Sequence, residues 1–586
     1  MSISLLRTFR WRLLLALSAL VFGLSACGGG GGGGDGGPSG PPDTGPPPPS
    51  AAPVTQAEAA RFLSQTTFGP TPTDTAAVVE AGLEQWFLRQ LQQPPSLLLP
   101  LVEQELPENG FLDEDRGDPR LLFTKSFWRT AIEGEDQLRQ RMAFALSQLL
   151  VVSDNSNLAV VPQAVAQYAD ILSTHAFGNY RELLQDVTYS PAMGIFLTYV
   201  QNQKADPATG RVPDENYARE LMQLFTIGLV ALAPDGTPLT DADGAARELY
   251  DNDDITGLAA VFTGLDFAGG NFSTPLRRLP ATAFSTPMEM SDTFHELRET
   301  RFLDTVIPAG TPGNECIAMA LDAIFAHPNV GPFVARQLIQ RFVTSAPEPA
   351  YVERVAAAFD AGRYQMPSGR QVGDGRRGDL SATLAAILFD TQARSATARA
   401  APTFGKLREP VLRFTHWARG FRVNSADAGD LPLLYDTSDS IWLGQHPYRA
   451  PSVFNFYRPG YIAPGTESGS AGLTVPELQI TNATSIVGYA NFITAFALDR
   501  AQPGTGNAGA SFQPDYGEEL PLVDDPQALV EHLDAKLAHG SLAPATRARI
   551  ADLVAALPAE SAADRQARIQ IAVVLVMTTP EYIVLR

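Results

Sequence analysis

The segment PDENYARELMQLFTIG, residues 213–228, decides the fold class because it carries the densest helical pattern of the chain. Its apolar side chains, from Tyr217 to Phe225, recur at i, i+4, i+7 and i+8, as on the buried stripe of an amphipathic helix. Pro-Asp at its start is typical of the first turn of a helix, and the glycine at its end is typical of a helix terminus. The pattern predicts a half-buried helix over 213–228.

The polar residues of this segment lie on separate lines from the apolar stripe. Asn216 and Glu220 are one helical turn apart, and Glu215 and Arg219 form an i,i+4 pair. In an architectural interpretation, these groups bind neighbouring loops. In a catalytic interpretation, the helix is a cleft wall with Glu215 and Glu220 as general acid and base. Asn216 and Arg219 would then bind the substrate, Arg219 by gripping an anion.

Helical periodicity continues on both sides of this segment. A second helix, predicted over 137–152, carries Arg139 and Arg141, which are further candidate anion-binding residues. Strand signals are few: a hairpin dipeptide, Asp235-Gly236, and short extended pieces between 265 and 307. Other predicted helices begin at Pro191 and Pro526 or cover 255–262 and 569–577. The sequence therefore predicts a mainly α fold, a multi-helical body with a few short strands.

The composition limits the possible functions. The chain has 586 residues, of which 45% are hydrophobic and 18% charged, so most of it should fold. It contains 43 basic and 64 acidic residues, a net charge of −21, which argues against nucleic acid as a partner. Two cysteines exclude a disulfide framework and a cysteine-rich metal site.

The first 26 residues have the pattern of a lipoprotein signal peptide. Three arginines precede the apolar run 13–24, which suits the core of a signal peptide. The run ends in Leu24-Ser25-Ala26-Cys27, which resembles the bacterial lipobox and predicts lipid attachment to Cys27. An ordinary signal peptide with a chance cysteine is the alternative. Because Gly28 follows instead of an aspartate, the expected site is the outer membrane, on its periplasmic or surface face.

The expected domain order follows from composition. Residues 27–53 form the lipid-modified cysteine and a disordered tether, in which 18 of the 23 residues of 28–50 are Gly or Pro. A main helical body covers 54–499, a loop or linker 500–522, and a C-terminal helical subdomain of the same unit 523–586. Removal of residues 1–26 would take away three arginines and no acid, so that acyl chains, not charge, would hold the body at a membrane.

Several well-known motifs are incomplete. Residues 504–509 read GTGNAG but lack the strand and helix that a dinucleotide site needs. The sequence HELRE at 295–299 has a glutamate where a zinc protease has its second histidine. This region is interpreted as a solvated charged segment, and the alternative is a cation site using Asp254, His295 and Glu296. The sequence identifies no cofactor, and the chain contains no GxSxG or Walker motif.

The chain resembles the bacterial family catalogued as domain of unknown function 1800 over about residues 55–586. The resemblance rests on the block 213–221 and on shorter motifs. These are RFLSQTTFGPT at 61–71, LRQRMA at 138–143, RGDL at 377–380, LREP at 407–410, PSVFNFY at 451–457 and TPEY at 579–582. Two positions depart from the family pattern: Leu265 stands where tryptophan is usual, and 295–300 lacks the usual lysine.

The resemblance implies an exported bacterial protein, often encoded beside a member of the alkaline phosphatase and sulfatase superfamily. It provides no established catalytic residue. We therefore expect an uncharacterised envelope lipoprotein that acts as a scaffold or partner, for a sulfatase-like protein or a surface polymer. The alternative is a hydrolase-like enzyme that acts on an extracytoplasmic polymer with the carboxylates of 213–228.

Overall fold

The computed structural model describes residues 53–107, 118–423, 434, 436–499 and 512–586. Within these ranges the protein is mainly α-helical, which confirms the predicted fold class. The α-helices are α1 (Gln56–Thr66), α2 (Pro72–Ala81), α3 (Leu83–Leu91), α4 (Leu99–Glu105), α5 (Arg120–Glu133), α6 (Gln137–Leu146), α7 (Pro162–Thr174), α8 (Tyr180–Tyr189), α9 (Pro191–Phe196), α10 (Asn216–Glu220), α11 (Asn252–Val261), α12 (Gly313–Ala326), α13 (Val330–Phe342), α14 (Pro349–Ala361), α15 (Leu380–Phe389), α16 (Thr391–Arg394), α17 (Ala396–Ala400), α18 (Pro410–Gly420), α19 (Glu467–Ser470), α20 (Ala483–Ala497), α21 (Pro526–Leu533), α22 (Pro544–Ala555), α23 (Ala562–Met577) and α24 (Pro580–Ile583).

The strands of the described residues are short and pair into antiparallel ribbons of two. The pairs are β1 (Leu265–Asp266) with β2 (Glu289–Met290), β3 (Thr300–Phe302) with β4 (Thr305–Ile307), β5 (Tyr364–Gln365) with β6 (Gln371–Val372), and β7 (Lys406–Leu407) with β8 (Val584–Leu585). The last pair joins the middle of the chain to its C-terminal end.

The helix α15 lies at the centre of the core. Each of its residues, in the sequence LSATLAAILF, is buried, as expected for a helix that is apolar on all sides. It packs against α13 and α14. The hydroxyl of Tyr351 on α14 donates a hydrogen bond to the carbonyl oxygen of Ile387, at 2.6 Å, and so satisfies its polar atom inside the core.

The first helix is fixed between distant parts of the chain. The ring of Phe62 on α1 packs against Trp86 of α3, with centroids 5.5 Å apart, and against Phe389 of α15. The loop after α1 then passes very close to α18. A Cβ atom on Gly69, whose φ is 140°, would lie 2.4 Å from the Cα atom of His416, so only glycine fits.

The C-terminal helices pack onto the rest of the protein. Within the predicted linker 500–522, the described part, from 512 onward, contains the buried ring of Phe512, 5.5 Å from Phe414 of α18. Tyr582 of α24 donates its hydroxyl hydrogen to the carbonyl oxygen of Arg413, also on α18. These contacts and the β7–β8 pair bind the C-terminal helices to the main helical body.

Several helix boundaries differ from the predictions. The helix predicted over 137–152 ends at Leu146, where the chain turns. In α11 the N-cap is Asp251, and Asp254 is the third residue of the helix in a capping box. The segment 213–228 begins its helix only at Asn216, because the carboxylate of Asp214 accepts a hydrogen bond from the Asn216 amide at 2.9 Å.

The second half of this segment, Leu221–Thr226, is a π-helix. Its backbone hydrogen bonds connect residues five positions apart instead of four, as in the bond from the Ile227 amide to the Met222 carbonyl at 3.0 Å. Tyr217, Leu221 and Phe225 are nevertheless buried, so the predicted apolar stripe faces the core. π-helical turns often occur at functional sites, and Glu220 directly precedes this one.

Some predictions concern residues that the structure does not describe. The signal peptide, Cys27, the tether up to residue 52 and the GTGNAG segment all lie outside the described ranges. Among described helices, no single one combines the length and the apolar character needed to cross a bilayer. The helices α12 and α13 together meet both criteria, with a bend of 75° between them.

Candidate functional site

The predicted carboxylate Glu215 is held by two side-chain contacts. One carboxylate oxygen accepts a hydrogen bond from Arg219 at 3.1 Å, and the other accepts one from the hydroxyl of Thr256 on α11 at 2.8 Å. Both Glu215 and Arg219 are about one third exposed, at 33% and 39%. The pair therefore ties the start of α10 to α11 near the protein surface, which is a structural role.

The predicted binding residue Asn216 is exposed and also has partners within the protein. Its side-chain amide donates to the hydroxyl of Thr198 at 2.8 Å, and that hydroxyl donates to the carboxylate of Asp214 at 3.0 Å. Asn202 accepts a hydrogen bond from the backbone amide of Asp214 at 3.0 Å. The polar residues at the start of α10 thus hold the preceding loop in place.

Glu220 differs from its neighbours because its charge is only partly compensated. Its Oε2 atom is buried and has no hydrogen-bond partner among the described residues, and the same holds for the nearby hydroxyl of Tyr250. Burial raises the pKa of Glu220, and the charge of Arg219 opposes that shift. Burial, together with the Glu220 charge, also raises the pKa of Tyr250. General acid catalysis requires a protonated carboxyl group, and a raised pKa favours that form.

Arg139 is not part of the same site as Glu220. Its guanidinium donates to the carbonyl oxygens of Ser173, at 2.9 Å, and of Gln93, at 3.1 Å. It also lies over the ring of Phe177, 4.6 Å from the centroid. These contacts link α6 to the end of α7, so the structure gives Arg139 an architectural role.

Arg141 belongs to a group of buried charges that we call the internal charge cluster. Its members are Arg141, Arg341, Lys406, Glu409 and Glu477. Lys406 connects the two carboxylates, with its Nζ atom 2.8 Å from Glu477 and 3.2 Å from Glu409. Arg141 lies 4.0 Å from Glu409, and Gln148 donates to the second Glu409 oxygen at 2.8 Å.

The electrostatics of this cluster are dominated by Glu409, which is fully buried. Burial by itself would raise its pKa, but the charges of Lys406 and the two arginines outweigh that effect and lower the pKa to about 2. The guanidinium of Arg341 makes no hydrogen bond to described residues and instead lies 4.8 Å from the ring centroid of Tyr457. The cluster joins α6, α13 and β7 in the middle of the protein.

The residues of the predicted cation site make separate contacts. The carboxylate of Asp254 accepts from the backbone amides of Asp251 and Leu303. The imidazole of His295 donates through Nδ1 to the carbonyl oxygen of Thr263 at 2.8 Å, and its Nε2 is buried without a described partner. Glu296 pairs with Arg298 at 2.7 Å. The structure does not bring these three predicted ligands together as a set.

A different group of potential metal ligands is present near the C-terminus. In the described ranges, Glu518, Glu519 and His532 are the one set of three such residues with ligand atoms within 4.8 Å of one another. The ammonium of Lys536 lies between the carboxylates, 2.5 Å from Glu519 and 3.1 Å from Glu518. Lys536 thus supplies the positive charge that a cation would bring.

Sequence reasoning missed a cavity of about 720 Å³ between α1, α3 and the chain around α16 and α17. We call it the arginine cavity because Arg61, Arg394 and Arg399 are among its lining residues. Arg61 opens the motif at 61–71, but nothing in that motif marks it as a binding residue. Arg394 and Arg399 lie more than 300 positions away, and no periodicity connects them to Arg61.

The comparisons with known proteins concern the family alone. A family model described as protein of unknown function (DUF1800) matches residues 61–584. Comparison with curated proteins and with solved structures found no match to this chain. The family match covers most of the sequence, so the chain belongs to the DUF1800 family, as the resemblance of its motifs predicts.

Proposed function

We propose that this member of the DUF1800 family is an exported lipoprotein of the cell envelope that acts as a scaffold or partner protein. Its anchor is Cys27, and its expected place is the outer membrane. The candidate partners are a sulfatase-like protein and a surface polymer. The observation that carries this proposal is the engagement of the predicted catalytic and binding groups Glu215, Asn216 and Arg139 in contacts within the protein.

The scaffold proposal also accounts for the composition of the chain. A tether rich in glycine and proline lets a folded body reach a partner at some distance from the membrane. The full chain has a net charge of −21, and the body without residues 1–26 would be more acidic still, so it gains no attraction to anionic lipid and needs a covalent anchor to stay at a membrane. Both features suit a protein that is presented to a partner.

Membrane co-purification tests the scaffold proposal. We expect the full chain, purified from membranes after mild crosslinking, to bring down a sulfatase-like protein, the kind of neighbour that the family resemblance implies. The Cys27→Ser variant is the matched control, since it keeps the body but should lose both labelling by a palmitate analogue and the membrane fraction. Equal labelling of the variant would contradict the anchor, and absence of the neighbour from the crosslinked sample would contradict the partnership.

A second candidate function is favoured by Glu220. Its Oε2 atom and the nearby Tyr250 hydroxyl have no described hydrogen-bond partner, and burial raises the Glu220 pKa. Both features suit a general acid. On this alternative the protein is a hydrolase-like enzyme for an extracytoplasmic polymer. Glu220→Gln would then abolish the biological function of the protein while its melting temperature stays the same or rises.

A further inference from the structure

The arginine cavity has the size and lining of a site for a small organic molecule. Its volume, about 720 Å³, falls within the range of about 300–1,000 Å³ that is usual for ligand pockets. Leu83, Phe389 and Pro367 give it apolar walls, and Arg370 lies at its exposed rim. Such a combination suits a ligand with both an apolar body and a charged group.

Arg61, one of the lining residues of the cavity, has a side-chain nitrogen without a described hydrogen-bond partner. Arg61 is only 5% exposed, and its Nη2 donates to the carbonyl oxygen of Ala393 at 2.6 Å. Its Nη1 is buried and has no hydrogen-bond partner among the described residues. An unpaired buried donor on a charged group is costly, so such groups usually have a partner in the functional state of a protein.

The two other arginines repeat this pattern. Arg394 donates to the side-chain oxygen of Gln65 and lies over the ring of Phe62, 5.2 Å from the centroid, but its Nε has no described partner. The Nε of Arg399 is likewise buried without a partner. Each of the three guanidinium groups that line the cavity therefore has a buried nitrogen without a described partner, as Arg141 and Arg341 of the internal charge cluster also have; what distinguishes the cavity is the open space beside these groups.

The carboxylates that line the same cavity are engaged elsewhere. Glu58 accepts hydrogen bonds from the backbone amide and hydroxyl of Thr55, at 3.0 and 2.9 Å, in the capping box of α1. Glu84 accepts hydrogen bonds from the amide and hydroxyl of Ser368. Neither forms an ion pair with the cavity arginines in the part of the chain described, so Glu58 offsets their positive charge only from a distance.

The pKa of Arg61 reflects the same burial and the same nearby positive charges. Burial, followed by repulsion from Arg394 and Arg399, lowers the pKa of the Arg61 guanidinium to about 8. An opposite charge placed among these groups would favour their charged forms and remove the repulsion. The protein as a whole has an excess of acidic residues, so a local group of arginines without ion pairs differs from the rest of the molecule.

We propose that the arginine cavity binds a small organic anion whose phosphate or sulfate group is held by Arg61, Arg394 and Arg399. The planar guanidinium fork matches the geometry of such oxyanions, and charge-assisted hydrogen bonds to them are among the strongest in proteins. The apolar walls contact the rest of the ligand. This proposal does not depend on the scaffold proposal, because it concerns the cavity and not the anchor or the partner protein.

Binding of sodium sulfate and sodium phosphate to the full chain tests the proposal, with sodium chloride at equal ionic strength as reference. We expect saturable heat of binding and a saturable rise in melting temperature for both oxyanions. Arg399→Gln and Arg394→Gln should each weaken binding at least about tenfold, the effect of losing one charged hydrogen bond. Arg399→Gln is the main variant because the Arg399 Nε has no hydrogen-bond partner among the described residues.

Arg336→Gln is the matched control, since Arg336 on α13 is also half-buried but does not line the cavity. It should bind both oxyanions like the wild type. General salt effects on stability act on all variants alike. Equal affinity of wild type, Arg399→Gln and Arg394→Gln, or an absence of saturable binding in the wild type, would overturn the proposal.

The source of the anionic group is distinguished by two further probes. Glucose 6-phosphate, compared with glucose, represents a soluble phosphate ester, and phosphatidylglycerol vesicles, compared with phosphatidylcholine vesicles, represent a lipid headgroup. In either case the binding that supports the proposal is lost in Arg399→Gln and kept in Arg336→Gln. Binding that survives Arg399→Gln takes place elsewhere and contradicts the cavity as the site.

Discussion

The internal charge cluster and the arginine cavity both place positive charge away from water, but they balance it differently. In the cluster, Lys406 lies within 3.2 Å of two buried carboxylates, and these carboxylates belong to the protein itself. In the cavity, the carboxylates at the wall are used by Thr55 and Ser368, and the arginines have no ion pair among the described residues. The cluster thus holds two carboxylates within ion-pair distance of its cations, whereas the cavity holds no described carboxylate at that distance from its arginines.

This difference separates architecture from binding. A buried charge whose counter-charge is supplied by the chain joins elements of the fold and needs nothing from outside. A buried charge without an internal counter-charge is stable only at a cost, which an external ligand can offset. The same residue type, arginine, thus indicates a packing role in one region and a ligand site in the other.

The largest expected effect is the loss of a carboxylate from the internal charge cluster. Glu409→Gln leaves the surrounding cations with a single carboxylate and should lower the free energy of unfolding by about 3–5 kcal/mol. Urea unfolding measures this change. Glu353→Gln, at an exposed position on α14, is the matched control and should alter stability by less than about 0.5 kcal/mol. A similar small loss for Glu409→Gln would mean that the cluster does not support the fold.

The pH dependence of stability gives an independent check of the same carboxylate. The pKa of Glu409 is lowered to about 2 in the folded protein, from an ordinary value of 4.5. Its contribution to stability is therefore present above about pH 4.5 and is lost as the pH falls toward 2. The wild type should lose this part of its stability over that window, and Glu409→Gln should not. Parallel curves for the two proteins would contradict the assignment.

A smaller effect of opposite sign is expected in the arginine cavity. Arg399→Glu would replace one of the three cavity cations by a counter-charge beside the other two, and should raise the free energy of unfolding by about 0.2–1 kcal/mol. It should also abolish the stabilisation by sulfate, because the anion site is then filled by the protein. Thermal unfolding with and without sulfate measures both effects. Lower stability without sulfate would show that Arg399 supports the fold.

The electrostatic environment of Glu220 is intermediate between those of the two regions, since Glu220 has one neighbouring cation and one unpartnered oxygen. Its pKa is raised, so its ionisation opposes folding as the pH rises above the ordinary value. Glu220→Gln should therefore leave the melting temperature at pH 7 unchanged or slightly higher. Glu353→Gln serves again as the reference. A clear decrease in melting temperature for Glu220→Gln would identify Glu220 as a structural residue and remove the enzyme alternative.

The sequence predicted local features well because these depend on neighbouring residues. The mainly α fold, the start of α21 at Pro526 and the short strands after 265 follow from caps, periodicity and turn residues. The π-helix at 221–226 was not predictable, since α and π turns share the same apolar periodicity over one turn. The early end of α6 at Leu146 also lacks a glycine or proline signal.

The sequence could not predict the sites because these depend on contacts between distant segments. Arg139 and Arg141 are neighbours on α6, yet one binds carbonyl oxygens near α7 and the other joins the internal charge cluster. Arg61 meets Ala393 across 332 positions. Whether an arginine has a counter-charge is set by this packing, which the spacing of residues along the chain does not reveal.

The smallest expected effect concerns the pair formed by Glu215 and Arg219, which is the exposed counterpart of the internal charge cluster. Each charge has a partner here as well, but water reaches both, at 33% and 39% exposure. Exposure weakens the attraction and leaves little desolvation cost to recover. A double-mutant cycle with Glu215→Gln and Arg219→Gln should therefore give a coupling of about 0.2–0.5 kcal/mol. A coupling as large as the Glu409 effect would mean that burial does not explain the difference between the regions, and the argument for an external anion in the arginine cavity would lose its basis.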